Sequence, residues 1–316
     1  MIERMTAGDR RALAKLITMV ESRPKEIYAI MSRVAERSRS VPRLGVTGPP
    51  GAGKSTLIDE LITAWRKKGQ TVGAVVVDPS SPFSGGAVLG DRIRMQRHAM
   101  DPGVFIRSLG SRGSHGGISR ATMEIALLMD AFGLDQLLVE TVGVGQTELD
   151  IIGIADTTVV VLVPEAGDTI QTLKAGLMEI GDIFVINKAD RDGADRIAAE
   201  VRAMLELQKC EEDDWKVPVV MTVAKEGRGI AEFMEHIEAH RCFCRDSTRH
   251  AQFKRGYFQR WLVELILAEL ADRIKTRGPQ EAAQIFEKVA VSQLNPYEGA
   301  AKILADKQLL ESILIK

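Results

Sequence analysis

The residues Gly48-Pro49-Pro50-Gly51-Ala52-Gly53-Lys54-Ser55 constrain this chain more than any other stretch, because they fill every fixed position of a phosphate-binding P-loop. Leu44-Gly45-Val46 before them has strand character, and Thr56-Leu57-Ile58 after them opens a helix, which is the context such a loop requires. Glycines let backbone N–H groups converge on phosphate oxygens, and the following helix adds the positive end of its dipole. Lys54 is spaced to reach the β and γ phosphates and Ser55 to ligate Mg²⁺. A glycine-rich turn that only joins strand to helix would give the Lys-Ser pair no reason to be there. Nucleoside triphosphate binding is therefore expected, with residues 48–56 forming the cradle.

A second motif bears on the base. Ile183-Phe184-Val185-Ile186 is an apolar strand-like run ending in Asn187-Lys188-Ala189-Asp190, the Asn-Lys-x-Asp pattern of guanine-specific NTPases. A carboxylate at Asp190 can accept from two guanine donors at once, whereas adenine would leave it unpaired. Read alone, the string also fits helix capping by Asn187. Its place after a P-loop, at a strand end of an α/β chain, favours base recognition. Thr222-Val223-Ala224 ends the next strand-like run, and the backbone N–H groups of Val223 and Ala224 are candidates to face the base oxygen.

Strand-like runs at 43–47, 71–77, 104–107, 137–140, 158–163, 183–187 and 217–223 alternate with helical stretches. This alternation predicts an α/β fold of the P-loop NTPase kind, a mainly parallel sheet flanked by helices. Residues 1–42 read as a helical N-terminal extension, with apolar positions at helix spacing interrupted by Pro24, and 43–240 as the nucleotide-binding domain. From 241 to 316 the pattern is helical only, a C-terminal arm whose stripe Val263, Ile266, Leu267, Leu270 and Ile274 is widened by Trp261, Leu262 and Leu265. The same stripe fits packing on the chain's own nucleotide-binding domain or against a second copy. A net charge of −1 gives no global reason to expect nucleic acid or a membrane surface as partner. No apolar run approaches the roughly 20 residues of a membrane span, and the charged N-terminus does not read as a signal peptide. Three cysteines suit a reduced compartment, so a cytoplasmic protein is expected.

Between the two nucleotide motifs, one strand-like run ends in Asp78-Pro79-Ser80-Ser81 and another in Glu140-Thr141-Val142-Gly143. A carboxylate at a strand end facing a P-loop serine is placed to hold Mg²⁺ directly or through water, so Asp78 and Glu140 are candidate metal residues beside Ser55. Turn capping before Pro79 is the other role open to Asp78. Gly143 lacks a Cβ and can bring its N–H close to the γ-phosphate. Asp91 lies in the glycine-bounded segment Gly90-Asp91-Arg92-Ile93-Arg94-Met95.

Taken together, 48–56, Val77-Asp78-Pro79-Ser80-Ser81, 90–95, the string Glu140 to Glu148 and 187–190 closely resemble the MeaB/ArgK family of P-loop GTPases. The string beginning Glu140-Thr141-Val142-Gly143 is the most specific part, since most GTPases have Asp-x-x-Gly there. The resemblance implies a GTPase using GTP/GDP and Mg²⁺, and a chaperone of an adenosylcobalamin-dependent acyl-CoA mutase such as methylmalonyl-CoA mutase. It further implies homodimerisation through the C-terminal arm, Lys54 as a catalytic contact to phosphate, and Asp91 as a residue positioning water. Pro164 through Lys174 looks like the family's additional mobile segment, with Lys174 a charge partner for the transition state; Asp168 as an ordinary helix cap is the alternative. His115, in Ser114-His115-Gly116-Gly117, stands where an apolar residue is expected. Two rivals share parts of the pattern. A nickel metallochaperone GTPase normally carries a His- or Cys-rich site, which five scattered histidines do not supply. A kinase would use ATP, against the Asn187-to-Asp190 motif.

Overall fold

The computed structural model describes the chain at all positions except 23–25, 79–94, 111–119, 142–150, 165–175, 208–213, 278–279 and 316. Two compact units divide it, Met1–Asp246 and Ser247–Lys316.

In the first unit the strands β1 (Arg43–Thr47), β2 (Val72–Asp78), β3 (Val104–Gly110), β4 (Gln136–Glu140), β5 (Thr157–Leu162), β6 (Ile183–Asn187) and β7 (Val219–Thr222) form one sheet. Their spatial order is β3-β2-β4-β1-β5-β6-β7, and every neighbouring pair is parallel. Parallel neighbours need long crossovers, and helices covering both faces explain why the strands read as unbroken apolar runs. Alternate residues divide between the faces. Val76, Val159 and Val161 pack with Leu57, Ile58, Leu61 and Trp65 of α4 (Lys54–Lys67) and with Phe233 and Ile237 of a long helix, Ile230–Asp246. Val160, Leu162, Phe184 and Ile186 turn the other way, onto Ala194, Ala198 and Val201 of Ala194–Glu206.

Residues 1–42 supply α1 (Ile2–Thr6), α2 (Arg10–Ser22) and α3 (Ile27–Ala35). Leu13, Leu16, Ile17, Val20, Ile27 and Val34 share a buried cluster with Val75, Phe105 and Leu109 of the sheet and with Ile125, Leu128 and Met129 of α5 (Arg120–Phe132). The extension thus covers the sheet on the side of β2 and β3. Gly103 directs its carbonyl at Val72 of β2, which turns the alternate carbonyls toward the free edge of β3. The Arg10 guanidinium donates to two of these, Pro102 at 2.5 Å and Val104 at 2.6 Å, so an edge open to intermolecular pairing is capped from within the chain. Asp130 of α5 is fully buried and accepts from the Ser38 hydroxyl and the Arg39 N–H, each at 2.7 Å, and from the Arg43 guanidinium at 3.3 Å, fixing the entry to β1.

The helical arm is expected to begin at 241, yet the helix through that position, now α7 with Ala194–Glu206 as α6, continues to Asp246. His240 and Arg241 are both buried, which keeps this stretch in the first unit. The second unit holds α8 (Thr248–Arg277), α9 (Gln280–Ala290), α10 (Pro296–Ala305) and α11 (Lys307–Ile315). Asn295 caps α10 by accepting from Glu298 N–H at 2.9 Å, with Pro296 in the first turn, where its missing N–H costs nothing. Ala282, Ile303 and Leu309 form a small buried cluster with Ile274 and Ile285 against it, while Leu262, Val263, Ile266 and Leu267 of α8 are exposed. Among the described residues, no helix is long and apolar enough to cross a membrane.

Candidate nucleotide-binding site

The loop 48–53 leaves the C-terminal end of β1, the strand flanked by β4 and β5, and feeds α4, whose first residue is Lys54. Two of its glycines are required on two counts. Gly48 has φ +135°, and a Cβ there would meet the Val161 carbonyl oxygen at 2.1 Å. Gly53 has φ +85°, and a Cβ there would meet Asn187 Nδ2 at 2.4 Å. The loop can therefore hold its path only with hydrogen in place of a side chain at both positions. Lys54 is buried, and its ammonium donates to the Gly48 carbonyl at 2.8 Å and the Pro49 carbonyl at 3.1 Å, as a buried charge must find partners.

Ser55, also buried, donates its hydroxyl to Glu140 Oε1 at 2.7 Å. Glu140 ends β4, in register with Val46 of β1 on one side and Val76 of β2 on the other. Asp78 ends β2 two residues beyond Val76, so the sheet brings Ser55, Glu140 and the backbone of Asp78 to the same end. A buried hydroxyl and carboxylate in contact are hard oxygen donors of the kind Mg²⁺ takes, and the residues fit that ion. Thr141 donates to the Thr47 hydroxyl at 2.9 Å and holds the start of the next segment against β1.

On the far side of the loop, Asn187 ends β6 and joins two backbone groups and one hydroxyl. Its Nδ2 donates to the Ala52 carbonyl at 2.9 Å, and its Oδ1 accepts from Ala224 N–H at 3.1 Å and from the Thr222 hydroxyl at 3.2 Å. Lys188 then adopts φ +58°, Ala189 N–H binds the Thr222 carbonyl at 3.0 Å, and the turn leaves Asp190 exposed. The N–H groups expected to face the base are engaged inside the protein, Val223 with the Arg228 carbonyl at 3.0 Å and Ala224 with Asn187. Their observed work is to hold the turn and the Asn187 side chain. The link from Asn187 to the P-loop is what sequence reading missed, because capping and base-facing roles both predict a local partner for this residue. Asp91, Gly143, His115 and Lys174 lie outside the described residues, as does the stretch 165–175 after Pro164.

A parallel α/β sheet carrying a P-loop after its first strand, with an Asn-Lys-x-Asp turn tied to that loop, defines a P-loop NTPase of the guanine-nucleotide class. The chain belongs to the MeaB family: the family model described as "Methylmalonyl Co-A mutase-associated GTPase MeaB" matches residues 13–279. A protein of Pyrococcus horikoshii provisionally named a GTPase is 47% identical over 306 residues, 96% of each chain. The mouse protein "Methylmalonic aciduria type A homolog, mitochondrial" is 34% identical over 319 residues, covering 95% of this chain and 77% of its own length. Among solved structures, that of a "LAO/AO transport system kinase" superposes with a TM-score of 0.71 at 28% identity, covering 96% of this chain and 94% of that one. The protein is a GTPase that binds guanine nucleotide.

Proposed function

We propose that this GTPase is a chaperone of an adenosylcobalamin-dependent acyl-CoA mutase, coupling GTP binding and hydrolysis to cofactor loading and to protection of the mutase. The observation that carries this reading is the match over residues 13–279 to a family described as associated with methylmalonyl-CoA mutase. Lys54 meets the β and γ phosphates, and loop N–H groups neutralise charge on the transferred phosphoryl group. Ser55, Glu140 and Asp78 would hold Mg²⁺, which when bound draws negative charge off the phosphate oxygens. Asp190 reads guanine, with Asn187 keeping its turn in place. Gly143, which lacks a Cβ, donates to the γ-phosphate, Asp91 positions the attacking water, and Lys174 assists when the partner is engaged; the last two roles are carried by resemblance. The protein acts as a homodimer through its C-terminal arm and works in the cytoplasm.

The name of the solved relative supports a second reading, a phosphotransferase. The Asn187-Lys188-Ala189-Asp190 motif favours a guanine nucleotide in either case. One experiment addresses both: GTP and ATP turnover of the purified protein, alone and with acyl-CoA mutases added. GTP hydrolysis accelerated by one mutase is expected. Unchanged turnover with every mutase tried would remove the chaperone reading, and phosphate transfer to an acceptor would establish the kinase.

A further inference from the structure

We infer that Cys244 is a reactive thiol, activated by His240 for exchange with small disulfides. The pair stands at the end of the sheet away from the P-loop. Thr157 begins β5 and Asp182 directly precedes β6, so both lie at the N-terminal ends of parallel strands whose C-terminal ends carry the nucleotide residues. His240 and Cys244, four residues apart near the end of α7, share one side of that helix. His240 is buried, and its ring nitrogens meet different groups. Nδ1 lies 2.8 Å from the Thr157 hydroxyl, while Nε2 is the nearer nitrogen to Cys244 Sγ, at 3.5 Å, and lies 3.3 Å from Asp182 Oδ1. With the ring hydrogen on Nδ1 donated to Thr157, the Nε2 lone pair is free to accept from the thiol. The Asp182 carboxylate then stabilises the imidazolium that forms as the proton moves. A nucleophile, a base and a group that orients the base are the parts that activate a thiol.

Trp215 holds both partners in place: its ring meets the imidazole edge-on at 4.8 Å, and its Nε1 donates to the Asp182 carbonyl at 2.7 Å. The remaining charged groups around the pair are engaged elsewhere. Asp156, whose carbonyl lies 3.9 Å from Cys244 Sγ, accepts from Arg43 N–H through its carboxylate. Arg241 pairs with Glu238 over the Trp65 ring, and Arg245 donates to Cys242 Sγ at 3.3 Å. Cys244 is half-buried, so its sulfur is open to a small reagent. Among the described residues no His, Cys, Asp and Glu side chains gather into a metal site. Cys242, two positions away on the helix, faces another side, so an internal disulfide would require α7 to unwind. In the exchange, Nε2 takes the thiol proton and the Cys244 thiolate attacks one sulfur of the reagent. The reagent's S–S bond breaks as the mixed disulfide forms, and the departing thiolate recovers the proton from the imidazolium. Cys244 is oxidised and half of the reagent is reduced.

The test is reaction of the full chain with glutathione disulfide and, separately, with iodoacetamide, each modified cysteine being located by peptide mass mapping from about pH 6 to about pH 9. The native chain is compared with His240→Gln and Asp182→Asn, and GTP turnover at the far end of the sheet shows that each is folded. The Asp182 side chain is 34% exposed, so its replacement leaves the core in place. Cys244 is expected to take up one glutathionyl group, at a rate that levels off near neutral pH. A free thiol is only about 3% ionised at pH 7 and gains rate up to about pH 8.5, while a more acidic thiolate is the weaker nucleophile. His240→Gln should therefore slow Cys244 about threefold at pH 7 and move its pH profile upward, with Asp182→Asn between the two. Should His240→Gln fail to fold, Asp182→Asn against the native chain decides by the same two measures. A rate and a pH profile shared by the variants and the native chain, or a native Cys244 left unmodified while free cysteine in the same solution reacts, would overturn the inference and leave His240 as a core histidine whose partners are structural.

Discussion

Asn187 does more than belong to a base-reading motif: with one amide it ties the P-loop carbonyl of Ala52, the N–H of Ala224 and the hydroxyl of Thr222. Because Gly53 gives way to the same side chain, phosphate loop and base turn are held at a fixed distance by the protein's own contacts. Preorganisation of this kind spares a ligand the cost of ordering its site. On the proposed function, the exposed carboxylate of Asp190 is the group that chooses between bases. Asp190→Asn should weaken GTP binding by about 100-fold, the loss expected when two hydrogen bonds to a charged acceptor are replaced by a mismatched amide. The same variant should gain on xanthosine triphosphate, since the amide presents a donor where the carboxylate only accepted. Competition binding of the two nucleotides measures both effects, and a variant with the native preference would show that Asp190 does not read the base.

At the scale of elements, α4 is tied at its far end as well. Arg66 forks onto Asp101 at 2.9 and 3.0 Å and donates to the Gln70 carbonyl at 2.7 Å, while Asp101 accepts from Gly103 N–H at 2.8 Å just before β3. The Arg66 hydrogen bond first, and the Gly103 N–H second, hold the Asp101 carboxyl below its usual value of 3.8. A depressed carboxyl contributes stability that is fully present above the unfolded value and is lost as pH falls through the folded one. Asp101→Asn should therefore be less stable than the native chain at pH 7 by about 0.5 kcal/mol. In urea titrations at falling pH, the gap should hold down to about 4 and close below it; a gap that ignores pH would assign the effect to packing. Ties like these explain what could be read in advance. The strands were legible because burial on both faces makes each an apolar run, and the P-loop because its chemistry is local. The Asp130 hub, the Arg10 edge cap and the Asn187 bridge join residues 35 to 135 positions apart, and no local pattern announces them. The break at Asp246 was illegible for another reason: Arg245-Asp246-Ser247-Thr248 contains no glycine or proline, and helical periodicity continues on both sides.

For the whole molecule, the question left by the fold is what covers α8. Its Ile274 side packs with Ala282, Ile303 and Leu309 inside the second unit. On the rest of the helix, Phe258, Leu262, Val263, Ile266 and Leu267 include the pairs Phe258/Leu262, Leu262/Ile266 and Val263/Leu267, each four residues apart, and each residue is between 49% and 59% exposed. A helix with apolar residues on more than one side needs more than one partner, and a continuous seam of this size is uncommon on a monomer's surface. Burying the exposed halves of five such side chains on each of two copies is worth on the order of 10 kcal/mol. Association itself costs roughly 4–15 kcal/mol, so only at the low end of that cost does the seam alone leave a net gain of about 6 kcal/mol, a dimer that forms at roughly tens of micromolar. Light scattering should find the full chain dimeric at tens of micromolar and a chain ending at Asp246 monomeric. Leu262→Glu together with Leu267→Glu should leave the full chain monomeric, because a dimer would have to bury the added carboxylates without partners. A native chain that stays monomeric across that range, with a mass that the double substitution does not change, would rule out the seam as a contact between copies.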